Sequence, residues 1–233
     1  MTFNYSGMIL AAGFGKRMMP LTKDLPKPLI SINGITLLEN AIDFLKKLGC
    51  QQIIINTHYH HLKIESFINQ RKDIVNIELV YEKEILDTGG AVKNAISYFK
   101  NNNLLIVNSD IFWRQENIKD AKLLITNYLN KKIPYLLLAE KNRSFGIFKS
   151  QGDFILKKNK ILRFSKGEHI FFYSGLQMIP LDILKKFSKK SFSFNDVWDN
   201  LIANENLYGQ IMKSNWYHVG DIKGLTIVKK LDY

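Results

Sequence analysis

Met8-Ile9-Leu10-Ala11-Ala12-Gly13-Phe14-Gly15-Lys16-Arg17-Met18 is the stretch on which the reading of the chain turns. Met8 to Ala12 is a short apolar run with the length of a buried strand, and Gly13 stops it. A glycine-containing loop with two basic residues follows. Small residues there let backbone N–H groups approach a polyphosphate closely. The loop is not a Rossmann fingerprint, because Met18 stands where the third glycine would be, and the Gly, Gly, Lys spacing is not that of a Walker A loop. On spacing alone, an ordinary β-α turn is an equal alternative.

Outward from this stretch, β-rich runs alternate with amphipathic ones. Leu37–Leu48 has helical spacing and stops at Gly49. Gln52–Asn56 reads as a strand, Leu62–Asn69 as a helix, Ile77–Tyr81 as a strand and Ala91–Phe99 as a helix. Leu104–Val107, Ala121–Leu129 and Tyr135–Ala139 continue the alternation as strand, helix and strand. The pattern predicts an α/β fold with a mostly parallel sheet. After Glu140 it changes. Phe145–Lys149, Phe154–Leu156, Ile161–Phe164 and Phe171–Met178 read as short antiparallel strands. Helices are expected at Leu181–Phe187, Val197–Ala203 and Ile222–Leu231, with short strands at Leu207–Met212 and Trp216–Val219. No internal repeat or Pro/Gly linker divides the chain, so one domain is expected over residues 1–233, with the antiparallel part as a small lobe on the sheet.

Composition narrows the function. The chain has 233 residues, 46% of them apolar, and needs no disulfide staple; its single cysteine, Cys50, reads as a buried thiol. The formal charge is +12, yet only five of the 33 basic residues are arginine and the lysines are scattered. There is no aromatic-basic RNA motif, zinc module or basic helix, which argues against a nucleic-acid partner despite a pI near 9.6. No apolar run approaches the roughly 18 residues that span a bilayer. No basic residue precedes the short run at Met8, so no signal peptide and a cytoplasmic location are expected.

In an open α/β sheet, ligands gather at the carboxyl ends of the strands. Four candidates lie there. The first is the loop Leu10 to Met18. The second is Leu25-Pro26-Lys27-Pro28-Leu29, where two prolines stiffen the backbone around Lys27 and present its charge in a fixed place. The third is the pair Asp110 and Asp221, each just past a strand; two such carboxylates clamp a hard divalent cation if they reach one face, and otherwise serve as helix N-caps. The fourth is Thr88-Gly89-Gly90, a glycine pair opening a helix, suited either to a flat or anionic ligand or to a plain cap. His58, His60 and His61 lack metal-ligand spacing, His169 and His218 stand alone, and no nucleophilic triad is visible.

Together and in this order, these features resemble the sugar-1-phosphate nucleotidyltransferases. The resemblance runs through Leu10 to Met18, Pro20-Leu21-Thr22, Pro26-Lys27-Pro28, Thr88-Gly89-Gly90, Asn108-Ser109-Asp110 and Val219-Gly220-Asp221. It implies a Rossmann-like three-layer nucleotidyltransferase fold with a nucleotide-binding half (1–140) and a sugar-binding half (141–233). It also implies a reaction: sugar 1-phosphate and NTP give NDP-sugar and pyrophosphate. With nothing after Tyr233 for a β-helix domain, the short bacterial members are the expected match. Gly152-Asp153-Phe154, Ser174-Gly175 and Trp216 to Asp221 fit the branch that uses UTP and N-acetylmuramate α-1-phosphate in peptidoglycan recycling. GTP with a mannose or heptose 1-phosphate is the sibling alternative, and an inactive sugar-nucleotide-binding homologue a remote one. The roles carried over are these. Leu10, Ala11, Ala12, Gly13, Gly15, Lys16, Arg17, Lys27, Thr88 and Gly89 bind the nucleotide. Asn108, Asp153, Ser174 and Gly175 bind the sugar. Arg17, Lys27 and Asp110 are catalytic, and Asp110 and Asp221 hold Mg²⁺. Ser109 stands where the family usually has glycine, and Phe112-Trp113 resembles a one-residue expansion; both bear on the sugar pocket.

Overall fold

The computed structural model describes residues 5–71 and 76–231. The first strand, β1 (Ser6–Leu10), ends before Ala11, so both alanines belong to the loop and not to the strand end. A two-residue hairpin, β2 (Ser31–Ile32) and β3 (Ile35–Thr36), leads into α1 (Leu37–Lys47). Thr36 caps α1 by accepting from the Glu39 N–H (3.1 Å), and Lys46 and Lys47 sit against its carbonyl end. Then come β4 (Ile53–Thr57), α2 (His61–Asn69), β5 (Ile77–Tyr81), α3 (Asp87–Asn94), β6 (Asn103–Asn108), α4 (Asn117–Lys131) and β7 (Tyr135–Glu140).

The antiparallel strands expected after Glu140 are continuous with the central sheet. This part of the chain holds β8 (Ser144–Phe145), β9 (Phe154–Lys157), β10 (Lys160–Arg163), β11 (Phe171–Pro180), α5 (Asp182–Lys185), α6 (Phe194–Ala203), β12 (Tyr208–Ile211), β13 (Trp216–Tyr217) and α7 (Ile222–Lys230). A single sheet of nine strands runs β5-β4-β1-β6-β11-β7-β12-β10-β9. β5, β4, β1 and β6 are mutually parallel, and β12 is parallel to β7, while β11 lies antiparallel between β6 and β7. β11 is buried along almost its whole length, which is the signature of an inner strand. The strand expected over Phe145–Lys149 shrinks to Ser144–Phe145, paired with Trp216–Tyr217. The helix expected at Leu181–Phe187 is one turn.

Strand alternation builds two cores. Ile9, Ile53, Ile55, Leu105, Val107 and Leu137 face α1, α2 and α4, while Met8, Ile54, Leu104, Ile106, Leu136 and Leu138 face α3, α5 and α6. Each such fully buried side chain contributes about 1.5–3 kcal/mol over leaving it in water. A third, smaller cluster packs Leu225 and Val228 of α7 on Met18, Ile30, Ile32 and Leu37. It holds the C-terminal helix against the segment that carries Arg17 and Lys27. No described helix is long and apolar enough to cross a membrane.

Candidate active site

The parallel register puts Leu10, Asn56 and Asn108 side by side at the carboxyl ends of β1, β4 and β6. Two adjoining cavities open there. The smaller, about 370 Å³, is lined by Leu10 to Gly13, Gly15, Lys16, Arg17 and Lys27, with Asn56, Glu82 and Thr88. The larger, about 600 Å³, is lined by Asp110, Asp153, Gly175 and Asp221 and by an aromatic wall that includes Phe194, Trp198 and Trp216. Arg17, Thr88, Asn108 and Asp110 border both.

Local sequence accounts for the first wall. Gly15 takes φ +65°, which turns the chain into the short helical turn bearing Lys16 and Arg17. The Thr22 hydroxyl locks the turn by donating to the Gly15 carbonyl (2.9 Å). Gly13 faces open space. Pro26 then starts a second helical turn at Lys27. The Tyr59 hydroxyl reaches from the β4–α2 connection to the Thr22 and Lys23 carbonyls (3.0 and 3.1 Å) and braces this segment.

The aspartates meet through long-range pairing. Val219 N–H donates to the Asp110 carbonyl (2.8 Å), Ile111 pairs with His218, and Phe112 N–H donates to the Tyr217 carbonyl (2.9 Å). These bonds lay residues 217–221 across the end of β6. Lys27 Nζ donates to Asp110 Oδ2 at 2.9 Å and to the Gly220 carbonyl at 3.4 Å, bridging the two aspartate segments. Asp221 Oδ1 accepts from Gly224 N–H (2.8 Å) and so caps α7, while the residue also lines the larger cavity. The cap and the site use the same side chain. Burial pushes the Asp110 carboxyl up, but Lys27, His218 and Arg17 together pull it down further, and it stays ionised well below the usual carboxylate range.

Two expected site residues lie elsewhere. Gly89 lines neither cavity: its N–H donates to the Phe192 carbonyl (3.0 Å), and a Cβ on it would sit 2.5 Å from the Phe192 ring. The glycine pair therefore seats α3 on residues 190–192, and Thr88 is the member of that run that faces the cavities. Ser174 is fully buried on the other side of β11, with its carbonyl accepting from Trp216 Nε1 (2.9 Å). Strand alternation turns Tyr173, Gly175 and Gln177 to the cavity instead.

The structure also adds residues that sequence reading passed over. Asn56 Oδ1 accepts from the Ala11 N–H (2.9 Å), and its amide donates to Glu82 Oε1 (2.7 Å). Glu82 is buried just past β5, and burial pushes its carboxyl up against the opposing pull of Asn56, Leu86 N–H and His58. His218 Nε2 lies 3.8 Å from Asp110 Oδ2. Asn56 lies at the carboxyl end of β4 and Glu82 just past β5, and that position is the one signal that could have found them.

The sequence profile of the nucleotidyl transferase family matches residues 6–232. This chain belongs to that family. The nucleotidyltransferase is 27% identical over 221 residues to the N-acetylmuramate alpha-1-phosphate uridylyltransferase of Caulobacter vibrioides, covering 92% of this chain and 91% of that one. It is 29% identical over 163 residues to the D-glycero-alpha-D-manno-heptose 1-phosphate guanylyltransferase of Aneurinibacillus thermoaerophilus, covering 70% and 68%. Among solved structures, HddC from Yersinia pseudotuberculosis complexed with GMP-PN superposes with a TM-score of 0.79 at 21% identity, over 98% of this chain and all of that one; this likeness concerns the fold. The expectation of a Rossmann-like sugar-1-phosphate nucleotidyltransferase thus holds for fold and enzyme class.

Members of this family generally use a divalent metal. Among the described residues no three His, Cys, Asp or Glu side chains form a ready-made cage. Two carboxylates on one cavity, Asp110 and Asp221, nevertheless fit an Mg²⁺ ion, which takes one or two carboxylates and fills its shell from phosphates and water.

Proposed function

We propose that this enzyme transfers the uridylyl group of UTP to N-acetylmuramate α-1-phosphate and releases pyrophosphate, a step that fits peptidoglycan recycling in the cytoplasm. The observation that carries the reading is the full-length similarity to the Caulobacter vibrioides uridylyltransferase. The shorter similarity to the guanylyltransferase supports a second reading, GTP with a manno-configured sugar 1-phosphate.

A phosphate oxygen of the sugar 1-phosphate attacks the α-phosphorus, a P–O bond forms, and the bond to pyrophosphate breaks. The nucleophile is already anionic, so no general base is needed; positioning and charge neutralisation supply the rate. Backbone N–H groups from Leu10 to Arg17 would cradle the nucleotide. Arg17, whose planar guanidinium grips two oxygens, would neutralise the leaving pyrophosphate. Lys27 would draw the attacking and α-phosphates together. Asp110 and Asp221 would hold Mg²⁺, whose charge offsets that of both phosphates. Asn108, Asp153 and Gly175 would contact the sugar.

Glu82 bears on the base. A carboxyl repels phosphates, so in the smaller cavity the Asn56–Glu82 wall suits the base. Protonated, the carboxyl offers one donor and one acceptor, the complement of the N3–H and carbonyl of uracil. Ionised, it only accepts, which suits the adjacent donors of guanine. Its raised pKa keeps the proton to higher pH, and the ionised fraction grows as pH rises. The ratio of kcat/KM for UTP over GTP is therefore expected to fall from pH 5 to pH 9. Glu82→Gln should hold it high and flat; a ratio with the same slope in wild type and variant would remove Glu82 from base selection.

The reading as a whole is tested by pyrophosphate release with Mg²⁺, crossing UTP, GTP, CTP, ATP and dTTP against N-acetylmuramate, mannose, glucose, N-acetylglucosamine and heptose 1-phosphates. Turnover is expected with UTP and N-acetylmuramate 1-phosphate. Turnover confined to GTP and a manno sugar would establish the second reading. No turnover from folded protein that still binds nucleotide would mark a silent homologue.

A further inference from the structure

Among the polar groups of the larger cavity that the reaction as derived leaves unused are those of Tyr173 and Gln177. Tyr173 lines the cavity, yet its hydroxyl is buried with no hydrogen-bond partner among the described residues. Four residues on, Gln177 is 1% exposed and lines the same cavity. Its amide oxygen accepts from Trp198 Nε1 at 3.0 Å, which fixes the orientation and leaves the NH₂ group as the end available to a ligand. A bulge between Tyr173 and Gln177, with Gly175 at φ +86°, shapes this wall.

The acceptors beside these donors are already engaged. Asp153 Oδ1 takes the Lys149 ammonium, and Asp153 Oδ2 takes the Tyr173 backbone N–H at 3.0 Å. The wall thus presents hydrogen-bond donors in excess, and a buried donor left unpaired is unfavourable. Its complement is an acceptor group on the ligand. Sugar hydroxyls bring a donor with each acceptor, whereas two groups on sugars of this kind only accept, a carboxylate and an acyl carbonyl. Asp153 stands on the Tyr173 backbone N–H at 3.0 Å and Asp110 lines the same cavity, so a further anion there would be repelled. A neutral carbonyl is not. The Trp198 ring meets the Tyr173 ring edge-on at 4.8 Å, and Phe194 stacks on Trp198 at 6.0 Å, which places apolar surface beside the donors. That surface suits a methyl group next to the carbonyl.

We propose that Tyr173 and Gln177 bind the carbonyl oxygen of a sugar N-acyl group, so that the larger cavity selects N-acylated sugar 1-phosphates. The inference rests on the reading above that this cavity takes the sugar 1-phosphate, and it names the substituent and the residues that read it.

Tyr173→Phe is the direct test. It keeps the ring and its contact with Trp198 and removes a hydroxyl that bonds to no described protein group, so Tm should hold or rise. Kinetics are measured with glucose, N-acetylglucosamine and N-acetylmuramate 1-phosphates. In the wild type both N-acetylated sugars should surpass glucose 1-phosphate in kcat/KM. In Tyr173→Phe that preference should fall about tenfold, through KM and to the same degree for both, as the loss of one neutral hydrogen bond requires. Gln177→Glu keeps an acceptor for Trp198 but replaces the donors with acceptors, and should reduce the preference further. An equal loss with all three sugars, or no change in the ratio, would overturn the proposal and leave the N-acetylmuramate reading standing. If only the lactyl-bearing sugar responded, the donors would be reading its carboxylate, which also overturns it. A wild-type enzyme that rejects both N-acetylated sugars would overturn this inference and the substrate reading together.

Discussion

Asp110→Asn is expected to lower kcat by at least about a hundredfold, in line with the loss of one well-placed electrostatic group at a reacting phosphate. The carboxylate has two duties that the amide cannot perform: it holds the Lys27 ammonium at 2.9 Å, and with Asp221 it forms the hard-oxygen pair that suits Mg²⁺. The fold should survive, because the backbone carbonyl of Asp110 keeps its bond from Val219 N–H (2.8 Å) and asparagine fills the same volume. Turnover, Tm and calorimetric Mg²⁺ titration in the presence of nucleotide separate the possibilities. A folded Asp110→Asn enzyme with near-wild-type turnover and Mg²⁺ affinity would refute the metal assignment.

Lys27→Met produces the second large effect. The side chain sits 9% exposed between Asp110 and the Gly220 carbonyl, so among the described residues it is the lysine locked to both aspartate segments. Its loss should again cost about a hundredfold in kcat, because two phosphates of like charge then meet without their cation. Stability should fall by only about 1–2 kcal/mol, since His218 and Arg17 still face Asp110. There is a pH signature as well. Lys27 helps hold the Asp110 carboxyl down, so its removal raises that pKa, and the acid limb of the pH–rate profile should move to higher pH. A profile that drops evenly at all pH values, with no shift of the acid limb, would mean that Lys27 acts on the phosphates alone.

The strands and helices of the first 140 residues were legible from local pattern, a short continuous apolar run for β4 and a 3.6-residue period for α1, which Gly49 ends. After Glu140 the same reading found the antiparallel strands but not their order in the sheet. Whether Phe171–Pro180 pairs within a lobe or inserts between β6 and β7 depends on strand partners that lie 31 to 77 residues away. Local pattern carries no record of such partners. The glycine pair at Gly89-Gly90 shows the same limit: the sequence suggested either a ligand or a plain cap, and the segment 190–192 that packs against the pair lies about 100 residues away.

By itself, the sequence determined the α/β class, the tight loop at Gly13 and Gly15, the stiff presentation of Lys27 and the two aspartates past strands. Each of these is a matter of backbone freedom, side-chain period or charge within a few residues. The tertiary structure alone decided that Asp110 and Asp221 share one cavity, that Asn56 and Glu82 stand behind the Leu10 loop, and that Tyr173 and Gln177 rather than Ser174 face the larger cavity. Those outcomes depend on strand order and on the pairing of residues 217–219 with residues 110–112, contacts that exist only when distant segments are brought to the same edge of the sheet.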